Sequence, residues 1–198
     1  MRKRGEDRRR EIVDAVLRLA VEVGPDRLTT QAVADAVGIT QPAVFRHYPT
    51  RAALWLAVAH DVAARMRGCW DEAAAATDDP IADVRRLAVA QMRVIAGEPS
   101  ILAIVFSHEL RVADPALAEV FRGLMGDLMR RLTGRFAAAA ERLTVAPADA
   151  ALLVLGLLQG LALRWSLAGR GFDLPSEGAR LLDLQLAGLM RHGAGVTS

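Results

Sequence analysis

The chain has 198 residues, 53% of them apolar and 24% charged, with a formal net charge of +2; this is the balance of a folded globular protein and excludes a disordered or fibrous chain. Its single cysteine, Cys69, excludes an internal disulfide framework and a cysteine-based zinc site, which points to a reducing, cytoplasmic setting. The basic start MRKRGEDRRR leads into a charged helical pattern rather than an apolar h-region, so no secretory leader is expected.

The small net charge hides an asymmetry. Residues 1–51 carry ten Lys and Arg against seven Asp and Glu, and the first ten residues alone carry six against two. Residues 1–7 therefore read as a basic arm suited to phosphates. Strand signals are nearly absent while alanine and leucine dominate, so the fold class is all-α, with about nine helices. The first helix spans about 8–23, with Ile12, Val16, Leu19, Ala20 and Val23 on one face, and Gly24-Pro25 closes it. A short second helix follows Thr29-Thr30, either of which can cap it, directs Val33, Ala34 and Val37 inward and stops at Gly38. A third, headed by Thr40, ends near Tyr48, and Thr50 caps a long fourth that fades before Pro80. Further helices are expected over about 81–96, 99–111, 115–143, 147–169 and 175–192, separated by GEP, ADP, VAP and GRGFDLPSEG.

The stretch GITQPAVFRHYPTRAAL, residues 38–54, holds a proline inside a helical pattern, followed by an arginine, a histidine and two rings. Helix, turn, helix explains it. Gly38 supplies the left-handed conformation of a sharp turn, Ala34 lets the two helices approach, and Pro42 falls in a first turn where its missing N–H is not needed. Val44 and Tyr48 then face the core, while Gln41, Pro42, Phe45 and Arg46 lie on the outer side near the N-terminus, as on a recognition helix. Gln pairs with adenine, Arg with guanine, and a ring or proline packs on a thymine methyl. Thr30, Thr40, His47 and Arg51 flank these and can reach phosphates.

The order Gly-Ile-Thr-x-x-x-Val-Phe-x-His-Tyr-Pro-Thr-Arg-x-x-Leu, with TTQAVADAVG before it, resembles the N-terminal signature of the tetracycline-repressor (TetR) family of bacterial transcription regulators. The resemblance implies a homodimer with a three-helix DNA-binding domain, taken as residues 1–50, and a larger helical domain, 51–198, that dimerises and holds a ligand. It also implies that Thr30, Thr40, Gln41, Pro42, Ala43, Phe45, Arg46, His47 and Arg51 meet double-stranded DNA at a palindromic operator. The position of Phe45 is usually a tyrosine whose hydroxyl reaches a phosphate; a phenyl ring gives apolar contact only.

In the remaining two-thirds, the segment 149–170 is apolar on nearly every side, and its uncharged core, 150–163, is too short to span a bilayer. It reads as a buried helix that a second copy would cover. Leu153, Gly156, Leu157 and Gly160, with Leu182, Leu186 and Leu189 of the last helix, form the expected dimer interface, which the resemblance implies to be a four-helix arrangement. Met66, Trp70, Met92, Phe106, Phe121, Met125 and Trp165, with His108 and Gln159 as polar anchors, are the expected contacts of an apolar small-molecule effector. SHELRVADPAL, residues 107–117, bears a faint likeness to regulators of fatty-acid metabolism.

No catalytic residue is assigned. His108 and Glu109 are adjacent and so point roughly 100° apart on a helix, and no nucleophile elbow, phosphate loop, dinucleotide fingerprint or metal-spaced histidine pair stands in the sequence. Neither a cofactor nor a metal is called for. Glu11, Asp14 and Glu22 interrupt the basic face that a membrane surface would need. The competing reading is a helix-turn-helix protein without a small-molecule effector, one that organises the chromosome or answers to another protein.

Overall fold

The computed structural model describes residues 5–74 and 78–191. Ten α-helices are found there: α1 Gly5–Glu22, α2 Thr30–Val37, α3 Gln41–His47, α4 Arg51–Ala73, α5 Pro80–Gly97, α6 Ser100–Val105, α7 His108–Ala113, α8 Pro115–Ala138, α9 Pro147–Leu167 and α10 Leu174–Leu189. A 3-10 turn, Ala140–Arg142, follows α8, and a single isolated bridge pairs Leu143 with Met190.

The helices collect into two compact units, Met1–Arg65 with Glu98–Leu124 and Met66–Gly97 with Met125–Ser198, so that α4 and α8 each begin in the first and end in the second. Residue 50, where the composition changes, is not the border of either unit. In the first unit α1 packs on α2, α3 and α6. Because neighbours cover it from several sides, Val13, Ala15 and Leu17 are buried along with Ile12, Val16 and Ala20, whereas Val23 is exposed. Helix α1 starts at Gly5 with Glu6 and Asp7 in its first turn, where acidic side chains suit the helix dipole. Residues 5–7 of the expected arm are thus helical, and its residues 1–4 lie outside the described residues.

Between α6 and α7 a single helix over 99–111 was expected, and the chain breaks at Ser107 instead. The Ser107 hydroxyl accepts from Leu110 N at 3.1 Å and donates to Asp26 Oδ1 at 2.8 Å. A serine that finds local and tertiary partners competes with the helical ladder, and here it restarts the helix as an N-cap. Arg65 ties the same unit together through Asp14 of α1 at 2.8 Å, Asp61 of its own helix at 2.6 Å and Glu98 at 2.9 Å.

In the second unit α5 packs on α9 and α10, and α9 on α10. Gly178 sits against the Met92 thioether, and a Cβ there would overlap it. Arg85 of α5 forks onto Asp183 of α10 at 2.7 and 3.0 Å, and Arg67 of α4 reaches Asp127 of α8 at 2.6 Å. Helix α8 ends five residues before its expected stop, where the chain tightens into the 3-10 turn and Leu143 turns to bridge Met190.

Helix α9 differs from the expected buried helix. Its 21 residues are long and apolar enough to cross a membrane by length and composition, and 44% of that window is buried. The reason is a second apolar face. Leu153, Gly156, Gly160, Leu163 and Leu167 step by three and four along the helix and are all exposed, a seam of the kind that meets another helix.

Candidate nucleic-acid interface

The exposed face of α3 is set by the turn before it. Thr29 caps α2, its hydroxyl accepting from Ala32 N at 3.2 Å. Gly38 ends α2 in the left-handed region at φ 70°, with its N–H returned to Ala34 and Asp35 carbonyls. Thr40 then occupies the N-cap position of α3 without a side-chain cap bond. The residue is exposed. Pro42 sits in the first turn, as the missing N–H requires.

The structure brings two of the expected DNA contacts together: Gln41 Nε2 donates to Thr30 Oγ1 at 2.7 Å. This fixes the Gln41 amide across the two helices and leaves its Oε1 and second N–H for a base edge. Thr40, Pro42, Phe45, Arg46 and Arg51 are exposed, and Thr30, Gln41 and His47 half-buried. Phe45 presents its ring at 37% exposure. Neither Arg46 nor Arg51 has an ion-pair partner among the described residues. Ala43 is only 8% exposed, because one side of the helical turn must face the core. Val44 and Tyr48 anchor that inner side. The Tyr48 hydroxyl donates to the Arg9 carbonyl at 3.2 Å, and burial raises its pKa, so it stays a donor.

Residues 12–58 match the family model for bacterial regulatory proteins of the tetR family. Those residues therefore carry the N-terminal domain that the tetR-family model describes. The HTH-type transcriptional repressor Rv1474c of Mycobacterium tuberculosis is 36% identical over 59 residues, which cover 30% of this chain and 32% of that protein. The match thus spans about a third of the curated relative. Likeness in fold extends over most of the chain: a TetR transcription regulator from Haloarcula marismortui has a TM-score of 0.80 at 18% identity, covering 94% of this chain and all of that one. FadR from Bacillus subtilis, solved in complex with stearoyl-CoA, has 0.74 at 15%, covering 90% and 98%.

The expected effector contacts divide between the two units. Phe106, His108 and Phe121 lie in the first, where Phe106 and His108 are exposed, which argues against their lining an enclosed apolar site; Phe121 is buried. Met66, Trp70, Met92, Met125, Gln159 and Trp165 lie in the second. There Trp70 Nε1 donates to Gln91 Oε1 at 3.2 Å, Trp165 Nε1 to the Phe172 carbonyl at 2.9 Å, and Gln159 Nε2 approaches Met125 Sδ at 3.6 Å. With their N–H groups already met, both indoles have only apolar surface to offer.

Of the expected dimer contacts, Leu153, Gly156 and Gly160 are exposed and Leu157 half-exposed. Leu182, Leu186 and Leu189 are all buried within the chain, on the face of α10 that α5 and α9 take up. The outward positions are Leu184, at 62% exposure, with Ala187 and Gly188. Leu152, Leu163 and Leu167 are further exposed leucines of α9, and the three-and-four stepping that places Leu163 and Leu167 beside the expected residues was readable in the sequence. Gln185 Oε1 is enclosed and has no donor among the described residues.

Proposed function

We propose that this chain is a homodimeric, sequence-specific DNA-binding transcription regulator of the TetR family, a repressor released by a lipophilic small molecule. The observation that carries the reading is the exposed face of α3, on which Gln41, Pro42, Phe45 and Arg46 stand together with Gln41 already anchored on Thr30. Gln41 and Arg46 are assigned to base edges, Pro42 and Phe45 to thymine methyls, and Thr30, Thr40, His47 and Arg51 to phosphates. A second copy covers the α9 seam and Leu184 of α10, since an apolar stripe of this length is poorly tolerated in water.

The effector class follows from the second unit, where Met66, Trp70, Met92, Met125 and Trp165 combine adaptable thioethers with indoles whose polar atoms are satisfied. A long acyl chain, of the kind carried by the ligand solved with the Bacillus subtilis FadR, fits that chemistry. An effector lowers DNA affinity only by the difference in its affinity for the two states of the protein. The test is release: stearoyl-CoA and free CoA are each titrated into a preformed complex with a sequence selected from random duplex. Loss of the complex with stearoyl-CoA alone supports the reading. Retention with both, in a protein that binds its selected sequence tightly, favours a regulator answering to another signal.

A further inference from the structure

A half-closed hollow of about 220 Å³ opens in the first unit, built from the loop after α1, the start of α4, and α7 with the turn into α8. Its floor is apolar, made of Trp55, Leu110 and Leu117, all buried. Its rim is charged, with Asp26, Glu109 and Asp114 set against one guanidinium, Arg51. Asp26 uses Oδ1 for the Ser107 hydroxyl, and Asp114 uses Oδ1 for the amides of Ala116 and Leu117. The second oxygen of each, and both of Glu109, have no partner among the described residues. Trp55 is 4% exposed, yet nothing among the described residues accepts a hydrogen bond from its indole N–H. The ring is thus buried at the wall of the hollow while its N–H, which is not among the enclosed atoms without a partner, keeps access to solvent.

These groups select a ligand by charge and shape. Three carboxylates against one cation oppose an anion and favour a positive head group, and the indole and leucines receive an apolar body, over which a cation is further stabilised by the ring. A metal ion is a poor match, because no group of three metal-ligating side chains is assembled among the described residues. Scaled from the cavity of about 150 Å³ that takes benzene, the hollow holds roughly nine or ten heavy atoms. We propose that it binds a small organic ammonium ion with an aromatic or apolar body and an oxygen placed to meet the Trp55 N–H. The site is independent of the lipophilic effector residues of the second unit. Arg51 gives it a consequence that rests on the regulator reading: an ammonium ion that neutralises the rim carboxylates lessens their repulsion of phosphate beside Arg51 and tightens DNA binding, most strongly at low salt.

The binding claim is tested without DNA, so its failure is distinct from failure of that reading. Calorimetry of the full chain at neutral pH and low salt compares 2-phenoxyethylamine with phenoxyacetate, which has the same ring and ether oxygen but a negative head group. The expected result is one amine per chain, at least tenfold weaker binding of phenoxyacetate, and a loss of at least threefold for the amine in Glu109→Gln, a change at an exposed side chain. No heat with the amine, equal affinity for amine and acid, or unchanged amine affinity in Glu109→Gln would each overturn the proposal.

Discussion

Gln41 and Thr30 share one hydrogen bond, and that bond decides how much freedom the recognition amide has left. Thr30→Val keeps the shape and removes the acceptor, so Gln41 must be ordered at the moment of binding. The expected loss is about 1 kcal/mol of specific affinity with little change on random duplex; equal losses on both would mean that Thr30 acts only as a phosphate contact. Arg46 and Arg51 separate the two kinds of contact. Arg46→Ala should cost about 1–3 kcal/mol on a cognate site and relax one base preference. Arg51→Ala should weaken all sequences alike and reduce the salt slope by about one. Competition binding across a salt series checks both, and sequence-independent losses for both would show Arg46 in the wrong role. At this scale most of the outward set was legible, because the motif spacing tells which side chains leave the core. The Gln41 tie was not, since it joins residues eleven apart in sequence whose approach depends on the angle between α2 and α3.

The turn between those helices depends on Gly38. Nothing lies within 4 Å of where its Cβ would stand, and its φ is +70°, so Gly38→Ala meets no clash and costs about 1–2 kcal/mol through the left-handed backbone alone. A lowered thermal midpoint with unaltered helix content is expected; an unchanged midpoint would show that the turn relaxes. Ion pairs join other elements, and they set an acid limit. Asp79, Asp127 and Asp183 are held below the usual carboxylate range by hydrogen bonds from Arg142, Arg67 and Arg85 respectively. A carboxyl depressed in the folded state contributes fully above its unfolded value near about 4 and loses that contribution as pH falls through the folded one. The midpoint should therefore drop below roughly pH 4, and Asp183→Asn should flatten part of that drop, modestly because the pair is half-exposed. An identical pH profile in the variant would mean that the α5–α10 pair adds nothing. The helices themselves were mostly legible from period and caps. The break at Ser107 was not, because its cause is Asp26, 81 residues away in the chain.

Over the whole chain the exposed stripe of α9 is the feature that an isolated copy leaves unexplained. Leu163→Asp, at a position 45% exposed, should reduce the sedimentation mass to one chain while leaving helix content intact; an unchanged mass would move the interface elsewhere. The existence of an apolar surplus in α9 was legible, but the choice of α10 face was not. Leu182, Leu186 and Leu189 look no different from Leu184 until α5 and α9 claim one side. The division into two compact units was equally hidden, because α4 and α8 are each shared and their periodicity carries no mark of it. The measurement that bears most directly on the regulator reading is competitive binding to the DNA flanking the chain's own gene against random duplex, across a salt series, with stoichiometry from the same titration. Palindrome-centred binding by one or more dimers, at least about 10³-fold above random DNA, is the expected result. Salt-steep binding without sequence preference would contradict it and leave α3 a phosphate-binding helix only.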